Sequence, residues 1–284
     1  MQPLIRRLGL RILILVAALY GIALIGLFAF QHRLVFPGSL HPTVPCADMD
    51  RLGAVYDETP GPKGEEYRRF RWERPEGKAW VLLLHGNAKT ACDRAFFLSG
   101  LYEVSLNWIV PEYPGYGGGQ GEASVDGLLA TAHLGLQEIR ERNSAQAPIF
   151  VFGESLGTAV ATEVAATSDG ISGLILQTPF TRLGDVAQAR YWFLPTAHML
   201  RYEFPADEWA KRVQAPVLIY HSIDDTVIPY PIGRRQTENF AKGLVEFHEY
   251  TNAGHVGFRS ADGKRFWSML RSFFERHMKG RGKS

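Results

Sequence analysis

The sequence has little of several features that would indicate other kinds of protein. Its formal net charge is only +2, so the chain lacks the excess of positive charge that would indicate a nucleic-acid partner. It contains no His-Glu-x-x-His motif and its nine histidines are scattered, so we expect no metal and no other cofactor. The glycine-rich stretch 115–121 has neither the Gly-x-Gly-x-x-Gly nor the P-loop spacing, which excludes a phosphate-binding loop.

Cysteine is scarce as well. The chain has only Cys46 and Cys92, and they do not form a Cys-x-x-Cys motif. In an oxidising compartment the two could pair, but nothing in the sequence places them near each other. We therefore expect two unpaired, partly buried thiols.

A long uncharged run sets the first 36 residues apart. Arg6, Arg7 and Arg11 precede Ile12–Phe30, which contains no charged residue. As a helix this run is about 28 Å long, close to the roughly 30 Å hydrocarbon core of a bilayer. A cleaved signal peptide is the alternative, but the run exceeds the usual length of about 7–15 residues and no small-x-small cleavage site follows. The pattern favours an uncleaved membrane anchor over residues 1–36.

The arginines also predict an orientation. Three precede the apolar run, and only Arg33 and Arg51 follow it closely. The positive-inside rule then places the N-terminus in the cytoplasm and the rest of the chain across the membrane, in the periplasm if the protein is bacterial. Residues 37–66 are rich in Pro, Gly and Asp and are predicted to be a linker into a globular domain over 67–284.

Apolar runs and helical periodicity alternate through the globular part. Strands are expected at 66–73, 80–84, 108–110, 149–152, 173–176, 216–220 and 244–250, and helices at 93–106, 124–142, 158–166 and 263–278. Strands that alternate with helices predict an α/β fold with a mostly parallel sheet and helices on both faces. The residues at 66–73 are interpreted as an edge strand.

A Gly-x-Ser-x-Gly motif occurs at Gly153, Ser155 and Gly157. It follows the apolar run 149–152 and precedes a helix-like run of small residues, which is the context of a nucleophile elbow. The glycines remove side chains that would clash in so tight a turn, and leave the Ser155 hydroxyl exposed at a strand end. Chance alone gives about 0.1 such motifs in a chain of this length, and the alternative is a glycine-rich strand–helix turn.

A serine nucleophile needs a base, and the base needs a carboxylate to orient it. In this fold the partners follow in the order Ser, Asp, His. Among the later histidines, His248 lies in a strand pattern and His277 on the last helix, whereas His255 lies on a loop, so His255 is the predicted base. The acid is expected just after the sixth strand, where Asp224 and Asp225 both qualify by position.

Several blocks of sequence resemble the α/β-hydrolase superfamily of serine hydrolases. They are His85-Gly86-Asn87, Tyr113–Gly117, Gly153–Gly157, Asp225–Pro229 and Ala253-Gly254-His255. The resemblance is closest to a small branch with an N-terminal membrane anchor, which includes depalmitoylating enzymes and many uncharacterised bacterial esterases. In that family the acid stands four residues before the proline, which selects Asp225. The family also implies an oxyanion hole formed by the backbone amides of Asn87 and Leu156.

Two positions depart from the family pattern. Glu112 stands where the family often has an aspartate, and Ser222 follows His221 where the family usually has a glycine. Neither position belongs to the expected triad, so the departures bear on substrate details rather than on the mechanism.

The resemblance implies a serine hydrolase that cleaves a carboxylic ester or thioester through an acyl-enzyme on Ser155, such as a carboxylesterase, thioesterase or lysophospholipase. Its implied substrate is a small-molecule or lipid acyl ester. A peptidase or amidase with the same triad, and a non-catalytic membrane-bound binding module, are the alternatives. The sequence leaves acyl chain length and oligomeric state open.

Residues 181–213 are richer in aromatics than a connection requires. They are equally consistent with a helix pair on the sheet edge and with a small cap that supplies an acyl pocket. We further expect that removing residues 1–36 leaves turnover of small soluble esters nearly unchanged and lowers it on membrane-borne esters.

Overall fold

The computed structural model describes residues 2–40, 46–61 and 66–278. The strands are β1 (Val55–Pro60), β2 (Glu66–Trp72), β3 (Ala79–Leu84), β4 (Leu106–Glu112), β5 (Ile149–Glu154), β6 (Ile171–Gln177), β7 (Val217–Ser222) and β8 (Val245–Tyr250). The helices are α1 (Gln2–Val35), α2 (Ala47–Arg51), α3 (Ala95–Gly100), α4 (Val125–Arg142), α5 (Leu156–Thr167), α6 (Leu183–Arg190), α7 (Thr196–Met199), α8 (Ala206–Ala210), α9 (Tyr230–Gln236) and α10 (Phe258–Met278).

All these strands form one sheet, in the order β1-β2-β4-β3-β5-β6-β7-β8. From β4 to β8 neighbouring strands are parallel, whereas β2 is antiparallel to both β4 and β1. The predicted mostly parallel α/β sheet is confirmed. Because the strands are parallel, the loops that follow β3, β5, β7 and β8 meet at one edge, where ligands bind in folds of this class.

The central strands are buried on both faces, and alternate residues enter different layers. Leu82 and Leu84 of β3 pack in the core beneath α4 and α5. Val81 and Leu83 of the same strand pack in the opposite layer, with α3 and α10. Both faces are therefore covered, and functional side chains can reach solvent only where the strands end.

Part of the predicted linker, 37–66, belongs to the sheet. β1 pairs with β2 along its whole length, so β1 and not β2 is the edge strand. The side chains of β1 are mostly exposed, and its Asp57 forms an ion pair with Arg71 at 3.2 Å. A polar edge strand buries too little apolar surface to show the alternating pattern that sequence analysis detects. Residues 41–45 and 62–65 of this segment lie outside the described residues.

Cys46 and Cys92 form a disulfide, which corrects the expectation of two unpaired thiols. Their Cα atoms are 5.5 Å apart although 46 positions separate them in sequence. Cys46 directly precedes α2, whose Met49 is fully buried in the core layer that also contains Ala91. The docking of α2 against the turn after β3 brings the sulfurs together, and cysteine spacing does not report such a contact.

Helix α1 is the longest helix of the described chain. Its stretch Arg6–Val35 is long and apolar enough to cross a membrane, judged by length and composition. Its C-terminal end is nevertheless part of the globular domain, because Val35 and the following Phe36 are buried in the core cluster beneath α4 and α5. Residues 1–36 are therefore not a detachable tether. The expectation that their removal leaves soluble-ester turnover unchanged conflicts with this packing.

Both interpretations of 181–213 apply, to different parts of it. Phe204 and the buried residues of α8 pack into the core beside α5, as a helix on the sheet does. Helices α6 and α7 instead lie over an apolar cavity next to the strand ends, as a cap does. We use the name cap for residues 181–204.

Candidate active site

The nucleophile elbow is built by a strained serine between two close-packed glycines. Ser155 links β5 to α5 with φ 52° and ψ −118°, a conformation that non-glycine residues rarely adopt. A Cβ on Gly153 would lie 2.4 Å from the carbonyl oxygen of Gly157. A Cβ on Gly157 would lie 2.1 Å from the carbonyl oxygen of Leu84. Side chains at either position would push strand and helix apart, so both glycines are needed for the turn.

The loops after β7 and β8 bring the predicted acid and base to this serine. His255 Nε2 lies 2.9 Å from Ser155 Oγ, and His255 Nδ1 lies 2.8 Å from Asp225 Oδ2. Because a carboxylate only accepts hydrogen bonds, the neutral imidazole carries its proton on Nδ1, and Nε2 accepts from the serine hydroxyl. This is the tautomer that a general base requires.

Asp225 is held as a carboxylate by its hydrogen bonds. Its Oδ1 accepts from the backbone amides of Val227 at 2.8 Å and Ile228 at 3.0 Å. Its Oδ2 accepts from His255 and lies 3.2 Å from Nε2 of the buried His221. Burial raises the pKa of Asp225, but the hydrogen bonds from His221 and His255 outweigh it and hold the pKa well below its ordinary value. The residue therefore stays ionised at neutral pH.

The neighbouring Asp224 has a different role. Its carboxylate accepts from the Ser222 hydroxyl and, at 3.1 Å, from the backbone amide of Gly254. The Ser222 hydrogen bond lowers the pKa of Asp224. Asp224 thus joins the loop after β7, which we call the acid loop, to the loop that carries His255. It does not contact the imidazole.

The turn after β3 lies against the nucleophile. A Cβ on Gly86 would be 3.2 Å from the Cβ of Ser155, which places the His85–Asn87 turn directly over the serine. The hydroxyls of Tyr113 and Tyr116 donate to the carbonyl oxygens of His85 and Asn87, at 3.2 Å and 2.9 Å. We call residues 85–90, which contain the predicted oxyanion residue Asn87, the oxyanion loop. The amide of Leu156, at the first position of α5, has no partner within its helix and is free to bind an anion.

Two buried polar pairs support these loops, and sequence reasoning missed both. Glu154, the residue before the nucleophile, forms a 2.7 Å ion pair with the buried Arg94. His85 lies 3.0 Å from Glu112, whose other oxygen accepts from the Ala91 amide. The departure from the family pattern at Glu112 was the one signal of the second pair. Within the described ranges no cluster of three or more His, Cys, Asp or Glu residues is placed to bind a metal.

An apolar cavity of about 380 Å³ lies next to the loops that follow β3 and β7. One wall is the C-terminal part of α1 and the other is the cap. The lining residues are Leu27, Phe28, Gln31, Leu34, Val35, Asn87, Leu183, Val186, Ala187, Arg190, Tyr191, Thr196, Met199, Leu200, Thr226 and Val227. Asn87 belongs to the oxyanion loop, and Thr226 and Val227 follow Asp225. The cavity therefore leads from the helix and cap to the catalytic loops.

Comparison with known proteins agrees with this fold. A family model described as serine aminopeptidase, S33, matches residues 75–206. An uncharacterised protein of Mycobacterium tuberculosis is 30% identical over 244 residues, which are 84% of this chain and 80% of that protein. The lysophosphatidylserine lipase ABHD12 of Danio rerio is 29% identical over 204 residues, 63% of this chain and 53% of the lipase. The chain thus spans about half the length of the lipases it matches.

Solved structures show the same architecture. An esterase of Pyrococcus furiosus has a TM-score of 0.65 at 15% identity, covering 81% of this chain and 93% of the esterase. An alpha-beta hydrolase from Vibrio vulnificus has a TM-score of 0.67 at 15% identity, covering 85% of this chain and 91% of that protein. Fold, triad geometry and relatives define one class. The chain belongs to the α/β-hydrolase superfamily of serine hydrolases, as the resemblance of its sequence motifs implied.

Proposed function

We propose that this serine hydrolase cleaves the ester or thioester of an acyl chain, and that Ser155, His255 and Asp225 perform the reaction. Ser155 Oγ attacks the acyl carbonyl carbon while His255 Nε2 takes the hydroxyl proton. His255 then gives this proton to the leaving alcohol or thiol as the bond to the acyl carbon breaks. Water, deprotonated by the same nitrogen, then attacks the acyl carbon. His255 returns this proton to Ser155 Oγ as the bond between Oγ and the acyl carbon breaks and the carboxylic acid leaves. Asp225 orients the imidazole and stabilises its charged form.

The oxyanion of each tetrahedral intermediate is assigned to the backbone amides of Asn87 and Leu156. The placement of Gly86 over the serine and the position of Leu156 at the start of α5 support this assignment. Loss of one such donor costs about 3–4 kcal/mol of transition-state stabilisation in serine hydrolases. No side chain is needed for these contacts, so the loop conformation itself is the catalytic element.

The apolar cavity is the observation that favours an acyl ester over a peptide. Among its lining residues the only charged side chain is Arg190, and none is Asp or Glu. A carboxylate is the natural partner for the α-ammonium of an aminopeptidase substrate, and this cavity's lining offers none. The names of the lipase and esterase relatives point the same way, whereas that of the matching family model names a peptidase.

A substrate series tests the proposal directly. Full-length protein is assayed with activated esters, thioesters and aminoacyl amides of increasing acyl length. We expect esters and thioesters to be cleaved, with kcat/KM rising with acyl length until the cavity is filled, and aminoacyl amides to be poor substrates. Faster cleavage of the amides would favour the peptidase. A chain that is not labelled by a fluorophosphonate and cleaves none of the series would be the binding module.

We also propose that residues 1–36 anchor the enzyme in the membrane, with the N-terminus in the cytoplasm and residues 67–284 on the other side. The apolar stretch in α1 and the arginines before it support the anchor and its direction. The disulfide adds support, because such bonds persist mainly in oxidising compartments.

The orientation has its own test. The protein should resist extraction by alkaline carbonate, and protease added from the non-cytoplasmic side should digest the unfolded catalytic domain. A soluble product beginning after residue 30 would show a secretory signal instead. Digestion only from the cytoplasmic side would reverse the orientation.

A further inference from the structure

The C-terminal turns of α1 are fixed to the cap by polar contacts. Gln31 is buried, and its side-chain oxygen accepts from the backbone amide of Arg201 at 2.8 Å. His32 Nδ1 lies 3.0 Å from the Tyr202 hydroxyl. The guanidinium of Arg201 also stacks 3.9 Å from the ring centre of Phe28. These directional contacts fix the rotation of the helix about its axis, which apolar packing against lipid would leave free.

That rotation turns one face of α1 toward the catalytic loops. The residues of this face that line the cavity are Leu27, Phe28, Gln31, Leu34 and Val35. Their spacing is that of a single helical stripe. The side of the helix away from the stripe includes Ile25, which is 70% exposed. The enzyme thus uses one face of the helix as a cavity wall and leaves the other for lipid.

The end of α1 is also joined to the oxyanion loop. The Asn87 side-chain amide donates to the carbonyl oxygen of Val35 at 2.8 Å, and the Asn87 carbonyl accepts from the Gly38 amide at 2.9 Å. The last carbonyls of a helix have no partner within it, so the Asn87 side chain satisfies one of them at the C-terminal end of α1. Asn87, the residue assigned to the oxyanion hole, is therefore positioned in part by hydrogen bonds to the end of α1.

The positions of these contacts along α1 show how the cavity would lie relative to the bilayer. Helix α1 has 34 residues and is about 51 Å long, more than the roughly 30 Å hydrocarbon core requires. Its uncharged run extends to Phe30 and includes the first cavity residues. The Tyr20 hydroxyl donates to the Phe193 carbonyl at 3.4 Å, and the backbone of Tyr20 lies about 10 Å further toward the N-terminus than that of Leu27. The cap thus extends alongside the part of α1 that would lie in lipid.

The tip of the cap suits that location. Trp192 is 79% exposed and Phe193 is 54% exposed, and the two rings contact each other edge to face. Large aromatic side chains are enriched where proteins meet the membrane interface. An exposed aromatic pair beside an apolar helix is the kind of patch that marks a membrane interaction site.

We propose that Leu27–Val35 is the membrane-side wall of the acyl site, that the Trp192–Phe193 tip enters the bilayer, and that the substrate is a membrane-borne ester whose single acyl chain passes from the bilayer into the cavity. The cavity volume of about 380 Å³ lies near the lower end of the 300–1,000 Å³ usual for ligand sites, which favours one chain over two. This inference rests on the proposed function, since it assigns the substrate of the same triad.

Two tryptophan substitutions test the wall in full-length protein reconstituted in nanodiscs. Leu34→Trp fills the cavity, and Ile25→Trp places the same ring on the lipid-facing side as a control. The measured quantity is the ratio of kcat/KM for lauryl and butyryl p-nitrophenyl esters. Leu34→Trp should lower this ratio about tenfold, the effect of losing room for roughly two methylene groups. Ile25→Trp should leave it unchanged.

A second pair of variants tests the wall in case the Leu34→Trp protein does not fold. Phe28→Ala enlarges the cavity and should raise the lauryl-to-butyryl ratio, whereas Phe30→Ala, at a 57% exposed position outside the lining, should not. Equal lauryl-to-butyryl ratios for the two variants of each pair would overturn the proposal that this face of α1 is a wall of the acyl site. If Ser155 is still labelled by a fluorophosphonate in that case, the proposed function stands. A wild-type chain that is neither labelled nor active on esters would remove the proposed function itself.

Bilayer entry of the cap tip is tested by tryptophan fluorescence in nanodiscs that contain brominated acyl chains. We expect bromine to quench part of the wild-type emission, and Trp192→Phe to remove most of that quenchable part. Quenching of the same size in Trp192→Phe would show that the cap stays outside the bilayer and overturn direct entry of the acyl chain.

Discussion

The catalytic loops and the apolar cavity are neighbours, but they are held in different ways. The catalytic loops follow parallel strands and are fixed by hydrogen bonds, three of them to the Asp225 carboxylate alone. The cavity lies between helix α1 and the cap, which are joined by apolar contacts and a few polar ones. The chemistry should therefore depend little on the lipid environment, whereas acyl selectivity should depend on it strongly.

The largest expected effect lies in the catalytic loops. Ser155→Ala should lower kcat by about 10⁶, because the base and its acid have no nucleophile to activate. Ser144→Ala, on an exposed turn, is the matched control and should retain full activity. Activity is measured on a butyryl ester, and the presence of an activated serine is measured by labelling with a fluorophosphonate. Labelling that survives in Ser155→Ala would place the nucleophile elsewhere.

The acid loop offers a comparison between adjacent residues. Asp225→Asn should lower kcat by roughly 10⁴, because the amide stabilises neither the required tautomer nor the imidazolium. Asp224→Asn should cost far less, since Asp224 contacts Ser222 and the Gly254 amide and not the imidazole. Steady-state kinetics on the same ester give both values. A larger loss in Asp224→Asn would reverse the assignment of the acid.

The end of α1 is tested through stability. Phe36 is fully buried and packs edge to face on Tyr202, so Phe36→Ala should cost about 3–5 kcal/mol of folding free energy. Phe30→Ala removes the same ring from an exposed position and should change the melting temperature of the detergent-solubilised protein much less. Equal melting temperatures for the two variants would mean that α1 is a separable tether after all.

The smallest effect concerns pH. The folded-state pKa of Asp225 lies below the value of about 3.9 expected in the unfolded chain. Its stabilising contribution is therefore complete above that unfolded value and is lost as pH falls through the folded-state pKa. The difference in melting temperature between wild type and Asp225→Asn should be constant from pH 7 to 5 and should shrink as the solution is made more acidic. A difference that grows toward acid pH would contradict the lowered pKa.

Much of the catalytic end was predictable from sequence because its signals are local. The apolar strands, the tight turn around Ser155 and the loop position of His255 each follow from short-range patterns. The choice between Asp224 and Asp225 needed the family resemblance. In the structure His255 lies beside Asp225, whereas Asp224 joins two loops.

The remaining features depend on contacts between residues far apart in sequence. Strand β1 shows little apolar pattern because it is a solvated edge, and the Cys46–Cys92 disulfide depends on where α2 docks. The buried pair of Arg94 and Glu154 is likewise invisible, since neither charge has a local partner.

The sequence by itself determined the fold class, the order of the catalytic residues and the presence of an apolar helix, since each is encoded in periodicity or in a short motif. Only the tertiary structure decided which face of α1 meets the cap, and that Asn87 is tied to Val35. The physical reason is that a uniformly apolar helix carries almost no pattern to mark a buried side. Its orientation is set by partners 52 to 170 positions away.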